Sequence, residues 1–181
     1  MQTRLAILIA AGVVVAAVVV VALSSARDPY PLQPAGASQW NPVALGKSTQ
    51  AVVLYLELRP GDRIELLGGE TIGLPDAVRP TLYLSRPVLH ANGDRVIGEA
   101  LEPLASTVIE TPATASPGPE NTVGIVAEIT PTTPGIYQLD AVRLRFRVNG
   151  GGEQAREGVS VHWTVCADDP APKCELPETE P

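Results

Sequence analysis

The sequence predicts an all-β fold, an antiparallel two-sheet sandwich of about seven or eight strands preceded by one apolar N-terminal helix. Short runs in which apolar and polar residues alternate are the first observation, because alternation places one face of a strand in the core and the other in solvent. The chain also has 18 prolines and 16 glycines, which are frequent between these runs. No run of helical period follows the first 26 residues, so turns rather than helices connect the strands.

The predicted strands follow one another along the chain with turn-forming residues between several of them. They cover residues 51–58, 63–67, 81–89, 95–97, 105–110, 122–130, 141–148 and 159–165. In the first of these, one face of the strand is expected to carry Val52, Leu54, Leu56 and Leu58. Pro87 marks an edge or a bulge within the third, because proline cannot donate a backbone hydrogen bond to a neighbouring strand.

The last two predicted strands have the clearest alternation in the chain. Residues 141–148 and residues 159–165 each carry an apolar side chain at every second position. The segment 149–152 reads Asn-Gly-Gly-Gly, which is typical of a tight connection. The sequence therefore predicts that these two strands pair as an antiparallel hairpin.

The N-terminal segment predicts insertion into a membrane. Residues 1–4 form a short positive start, and the 19 residues from Leu5 to Leu23 are apolar except for Gly12. As a helix they span about 28 Å, close to the thickness of a hydrocarbon core. We expect residues 5–26 to be a signal-anchor, with the N-terminus inside and the following domain outside the cell. Small residues before Arg27 leave open a signal peptide that is cleaved after Ala26, in which case the protein is secreted.

The remainder of the chain divides into three predicted parts. Residues 27–47 are a proline-rich spacer, residues 48–166 are the sandwich, and residues 167–181 are an acidic, proline-rich tail. The segment after Ala26 carries all 20 acidic residues and 12 of the 13 basic ones, a net charge of −8. Nucleic acid is therefore not an expected partner.

Cys166 and Cys174 are the only cysteines of the chain. In a protein exported from the cytoplasm, an isolated pair at this spacing predicts a disulfide, which closes a small loop at the start of the tail. The chain-entropy model gives such a loop about 2–3 kcal/mol of stabilisation.

The segment Gly135-Ile136-Tyr137-Gln138-Leu139 precedes the strand at 141–148. This pattern resembles the tyrosine corner of immunoglobulin-like sandwiches, including bacterial ones, in which a tyrosine hydroxyl bonds back to the backbone. The resemblance implies this structural role for Tyr137 and an Ig-like topology. The chain departs from the family pattern because the usual pair of cysteines across the two sheets and the tryptophan of an early strand are missing.

Arg143, Arg145 and Arg147 form a stripe about 13 Å long on the polar face of one predicted strand. One interpretation is a solvated face that neighbours such as Glu128 partly neutralise. The other is a docking surface for an acidic partner, either a membrane or cell-envelope protein or an anionic wall polymer.

No catalytic motif is present, and the only two histidines, His90 and His162, stand apart from other ligand residues. We therefore expect no cofactor, no metal and no enzymatic activity. The leading hypothesis is a membrane-anchored extracytoplasmic module for protein–protein interaction, such as an accessory subunit of a cell-envelope complex. Two alternatives stay open, a secreted binding protein for a cell-wall glycan or small ligand and a hydrolase of unrecognised type.

Overall fold

The computed structural model describes residues 30, 32–35, 39–75, 78, 80–89, 95–115, 121–158 and 163–169. The chain divides into two compact units, Met1–Tyr30 and Pro31–Pro181, and every described β-strand belongs to the second. Among the described residues there is no helix long and apolar enough to cross a membrane. The predicted anchor at 5–26 lies outside these residues.

Twelve β-strands and no α-helix make up the described part of the chain, which confirms the predicted all-β class. The strands are β1 Leu32–Pro34, β2 Gln39–Ala44, β3 Thr49–Glu57, β4 Arg63–Ile72, β5 Thr81–Leu89, β6 Arg95–Pro103, β7 Thr107–Glu110, β8 Thr122–Ile129, β9 Gly135–Leu139, β10 Ala141–Val148, β11 Gln154–Gly158 and β12 Trp163–Asp168.

These strands form three sheets within the described residues, where two were predicted. The first has the order β1-β3-β8-β5-β6, the second β11-β10-β4-β7 and the third β2-β12-β9. Neighbouring strands are antiparallel except for β2 and β12, which run parallel. The chain passes from the third sheet to the second at Asp140, whose backbone N–H donates to the Ile72 carbonyl oxygen at 2.9 Å.

The prediction of seven or eight strands was too low, partly because β1 and β2 lie in the segment read as a spacer. Both strands contain a proline, Pro34 in β1 and Pro42 in β2. Each lies at the edge of its sheet, where a missing backbone donor costs no ladder hydrogen bond. A segment rich in proline is therefore disfavoured as a central strand, but it can still form the edge strand of a sheet.

The predicted hairpin between the last two strands was wrong. β10 pairs instead with β11, in the register Leu144 to Arg156, and β12 belongs to the third sheet between β2 and β9. β11 reads Gln-Ala-Arg-Glu-Gly and lacks the alternation that predicts a strand. It lies at a sheet edge, where backbone hydrogen bonds alone define the strand and little apolar surface needs burial.

The core contains the inward side chains of the sheets, and the largest of them are almost wholly shielded from solvent. They include Leu54, Leu56, Ile64, Leu66, Leu84, Ile125, Leu139, Leu144, Phe146 and Trp163. On β3 the expected alternation breaks, because the register shifts between Val52 and Leu54. As a result Val53 is fully buried, and Val52 is half-buried and does not share the buried face of Leu54, Leu56 and Leu58, contrary to the prediction.

The predicted irregularity at Pro87 is confirmed. In the pairing of β5 with β6, the register shifts between Arg86 and Val88, with the proline at the shift. A bulge at this position removes Pro87 from the regular hydrogen-bond ladder and so accommodates its missing N–H.

Candidate interaction face

The outward surface of the second sheet carries Arg143, Arg145 and Arg147 of β10, and we call it the arginine face. The alternate residues of this strand, Val142, Leu144 and Phe146, point into the core and are buried. The arginine side chains are 44%, 45% and 42% exposed, respectively. A guanidinium is too polar to bury unpaired, so the alternation of β10 determines which side of the strand faces solvent.

Each arginine of this face forms an ion pair with a glutamate from a neighbouring strand or its approach. Arg143 Nη2 lies 2.9 Å from Glu157 Oε2, and its Nη1 lies 3.8 Å from Glu70 Oε2. Arg145 Nη1 lies 3.5 Å from Glu153 Oε1. Arg147 Nη1 lies 3.3 Å from Glu65 Oε2.

Glu128, named in the sequence analysis as a neutralising neighbour, is not part of the arginine face. It lies on β8 in the first sheet, where its carboxylate accepts a hydrogen bond from the Gln50 side chain. The prediction assumed a strand order that β10 does not have, since its neighbours are β4 and β11.

An extra residue in β4 arranges the glutamates of the arginine face. Arg145 pairs with Gly68 while Phe146 pairs with Leu66, so Leu67 is the additional residue of a bulge. Gly68 has φ of 145°, a conformation that other residues rarely adopt. In a regular strand Glu65 and Glu70, an odd number of positions apart, would face opposite sides. Because of the bulge, both reach arginines of the same face.

The arginine face is close to electrically balanced. Its three arginines meet four glutamates, a formal net charge of −1. Exposed ion pairs of this kind each contribute about 0–1 kcal/mol to stability. The glutamates therefore hold the guanidinium groups in place only weakly.

Tyr137 lies on β9 and is buried, with 7% exposure. Its hydroxyl donates a hydrogen bond to the Thr133 carbonyl oxygen at 2.7 Å, four residues upstream. The Thr133 hydroxyl is also 2.7 Å from the Tyr137 hydroxyl. This is the kind of backbone contact that the resemblance implied for Tyr137, and it connects the start of β9 to the loop before it.

Cys166 lies on β12 and is buried. No free cysteine occurs among the described residues. Cys174 lies outside them, as do most of the predicted tail, His90 and His162, so the Cys166–Cys174 pairing stays a prediction. The described residues contain no group of three or more histidine, cysteine, aspartate or glutamate side chains placed to hold a metal ion.

Sequence reasoning missed the glutamates that surround the arginines. Glu153 directly precedes β11 and Glu157 lies in it, and this strand was not predicted. Glu65 and Glu70 are five positions apart in β4, so in a regular strand they would lie on opposite faces. The available signal was the Gly68-Gly69 pair, because glycine inside a strand often marks a bulge.

Comparison with known proteins adds no family assignment, since neither a protein-family model nor a curated protein matches this chain. The described residues therefore define the class by architecture, an all-β domain of mainly antiparallel sheets.

Proposed function

We propose that this chain is a membrane-anchored, non-enzymatic module that binds a protein partner outside the cytoplasm through the arginine face. The proposal rests on one observation: three half-exposed guanidinium groups stand in a row, and each forms an ion pair with a glutamate whose side chain is 34% to 52% exposed. Arginine suits such contacts because its planar group binds carboxylates with two hydrogen bonds and loses little hydration. An accessory subunit of a cell-envelope complex is the form of this function that we favour.

The strand order supports an Ig-like topology for the module. In immunoglobulin-type sandwiches one sheet has the order A-B-E-D and the other contains C, F and G. The run β1-β3-β8-β5 has the first order if these strands are taken as A, B, E and D, and β4-β10-β11 has the second if they are taken as C, F and G. The Tyr137–Thr133 bond agrees with this topology. Five strands are additions to it, namely β6 and β7 between the strands taken as D and E, and β2, β9 and β12 of the third sheet.

The charges of the arginine face favour a protein partner over an anionic wall polymer. A uniformly negative polymer would meet four glutamates together with three arginines and gain little net attraction. A protein surface can match both signs at the spacing of the pairs, and such matching mainly determines specificity and association rate. The partner we propose has alternating acidic and basic side chains at its surface.

The location of the module rests on the leader. Residues 5–26 are long enough to span a membrane, and the small residues before Arg27 allow the alternative of cleavage. Intact-mass measurement of the protein from both the membrane fraction and the culture medium separates the two. A chain that retains its leader supports the anchored form, and a mature chain that begins at Arg27 would replace it with a secreted one.

The function is tested by in-cell cross-linking followed by detergent purification of the full-length chain. Arg145→Glu is the test variant, and Arg86→Glu is its matched control. Arg86 is also half-exposed, 42% against 45%, and it too is paired with a glutamate, Glu102, but it belongs to the first sheet. Each substitution changes the net charge by the same amount.

We expect the wild-type chain and Arg86→Glu to recover the same membrane protein in stoichiometric amount, and Arg145→Glu to recover it about tenfold less. Circular dichroism of the three purified chains checks that the fold is retained. Equal recovery with both variants would exclude the arginine face as the binding surface. Absence of any recovered protein with the wild-type chain would contradict a stable complex.

A further inference from the structure

One end of the second sheet is held together by the side chain of Asn149, which directly follows β10. Its Oδ1 accepts a hydrogen bond from the Arg63 backbone N–H at 2.8 Å, and its Nδ2 donates to Asp62 Oδ1 at 2.7 Å. The Asn149 backbone N–H also donates to the Arg63 carbonyl oxygen at 2.8 Å. We call these three bonds the Asn149 latch, because they join the end of β10 to the start of β4.

Two features of the latch depend on the identity of Asn149: its backbone conformation and its hydrogen bond to the buried Asp62 carboxylate. Asn149 has φ of 53°, in the left-handed region that asparagine tolerates better than most residues. Asp62 is only 6% exposed, and one of its oxygens receives the amide N–H of Asn149. A buried carboxylate needs such donors, since water is largely excluded from it.

Asn149 is also followed by Gly150, and an asparagine before glycine is the sequence most prone to deamidation, because glycine leaves its own backbone nitrogen unshielded. Gly150 is exposed, with φ of 70°, and a Cβ on it would meet no atom within 4 Å. No atom of the described residues therefore crowds Gly150, whereas hydrogen bonds fix the side chain of Asn149.

We infer that Asn149 is a latent deamidation site, which the fold protects and whose conversion opens the latch. In the reaction, the Gly150 backbone nitrogen attacks Asn149 Cγ and loses its proton, and the side-chain amide nitrogen leaves as ammonia. Water then opens the cyclic succinimide at one of its two carbonyl groups. The product is aspartate, or isoaspartate, in which the main chain runs through the former side chain.

Protection follows from the bonds of the latch. Attack requires Asn149 Cγ to turn towards the Gly150 nitrogen, and the Asn149 amide is held by Arg63 on one side and Asp62 on the other. The reaction must therefore proceed from a locally opened end of the sheet, and its rate is proportional to the fraction of time that this end is open.

Conversion changes the latch in two ways. A carboxylate at position 149 has no N–H to donate to Asp62, and it places a second negative charge beside a buried one. Isoaspartate additionally lengthens the main chain by one carbon at a position where the Asn149 N–H must meet the Arg63 carbonyl. The adjacent Arg147–Glu65 pair of the arginine face then loses its fixed end.

The rate is tested on the full-length chain in detergent, incubated at mildly alkaline pH in native buffer and in concentrated urea. Trypsin cleaves at Arg147 and Arg156, so the peptide 148–156 reports Asn149 alone, and chromatography separates its aspartate and isoaspartate forms. The other Asn-Gly pair, Asn92-Gly93, serves as the reference in urea, where local sequence alone should determine the rate. We expect Asn149 to convert about tenfold or more slowly in native buffer than in urea. Equal rates of Asn149 in the two conditions would overturn the inferred protection.

The consequence is tested with Asn149→Asp and its matched control Asn149→Gly. Glycine accepts the same φ and loses the side-chain bonds without adding charge. We expect Asn149→Asp to lower the urea midpoint more than Asn149→Gly at neutral pH. Identical midpoints of the two variants at neutral pH would show that conversion does not open the latch electrostatically.

Discussion

Strand β10 has one face in solvent, whereas β12 is buried on both faces, although polar or small residues alternate with apolar ones in each. On β10 the outward residues are arginines, and their side chains are half-exposed. On β12 the corresponding residues are Thr164 and Cys166, with 6% exposure each. β12 lies between β2 and β9 in its sheet, so side chains of the two neighbours flank these small residues.

The difference shows that alternation of apolar residues with other residues does not by itself specify a solvent-exposed face. A long charged side chain must reach water, so it determines which side of its strand is exposed. A threonine hydroxyl or a cysteine sulfur is small enough to be covered by flanking residues, and its contact with solvent can be lost at little cost. Alternation therefore predicts exposure on β10 and leaves it open on β12.

The largest expected effect on stability comes from placing an arginine on β12, at a position that corresponds to the arginines of β10. Thr164→Arg places a guanidinium at a buried position, and we expect a loss of about 3 kcal/mol or more in unfolding free energy. The reciprocal variant Arg145→Thr should change stability by at most about 0.5 kcal/mol. Urea unfolding of the full-length chains, followed by tryptophan fluorescence, measures both. A Thr164→Arg chain as stable as wild type would mean that the covered face of β12 opens readily to solvent.

A smaller effect is expected from the corner that leads into β9, the neighbour of β12. Tyr137→Phe removes the hydroxyl that donates to the Thr133 carbonyl oxygen, and we expect a loss of about 1 kcal/mol. Tyr55→Phe is the control, because the Tyr55 hydroxyl has no hydrogen-bond partner within the described residues and Tyr55 is half-buried. Equal urea midpoints of the two variants would show that the corner bond adds nothing to stability.

The smallest effect on stability is expected for the ion pairs on the arginine face of β10. A double-mutant cycle with Arg143→Ala and Glu157→Ala should give a coupling energy between about 0 and 1 kcal/mol. The coupling should fall as salt is added, because both side chains are about half-exposed. A coupling well above 1 kcal/mol that is insensitive to salt would mean that these pairs are structural, and it would weaken the arginine face as a docking surface.

Several elements of the fold could be predicted from the sequence because they depend on local pattern. β5 and β10 begin and end at the predicted residues, and the irregularity at Pro87 follows from a missing donor. β11 could not be predicted, because an edge strand of polar residues has no apolar period. The three arginines of the candidate site were identified, but their glutamates depend on a bulge and on strand neighbours that are distant in sequence.

The sequence by itself determined the all-β class, the buried and exposed sides of β10, and the positions of several strands. These follow from side-chain period, which is a local property of a strand. Only the tertiary structure decided that β10 pairs with β4 and β11, that β12 pairs with β2 and β9, and that Asn149 meets Asp62. Every residue except proline offers the same backbone donor and acceptor, so the choice of partner strand depends on how all the apolar faces are buried together.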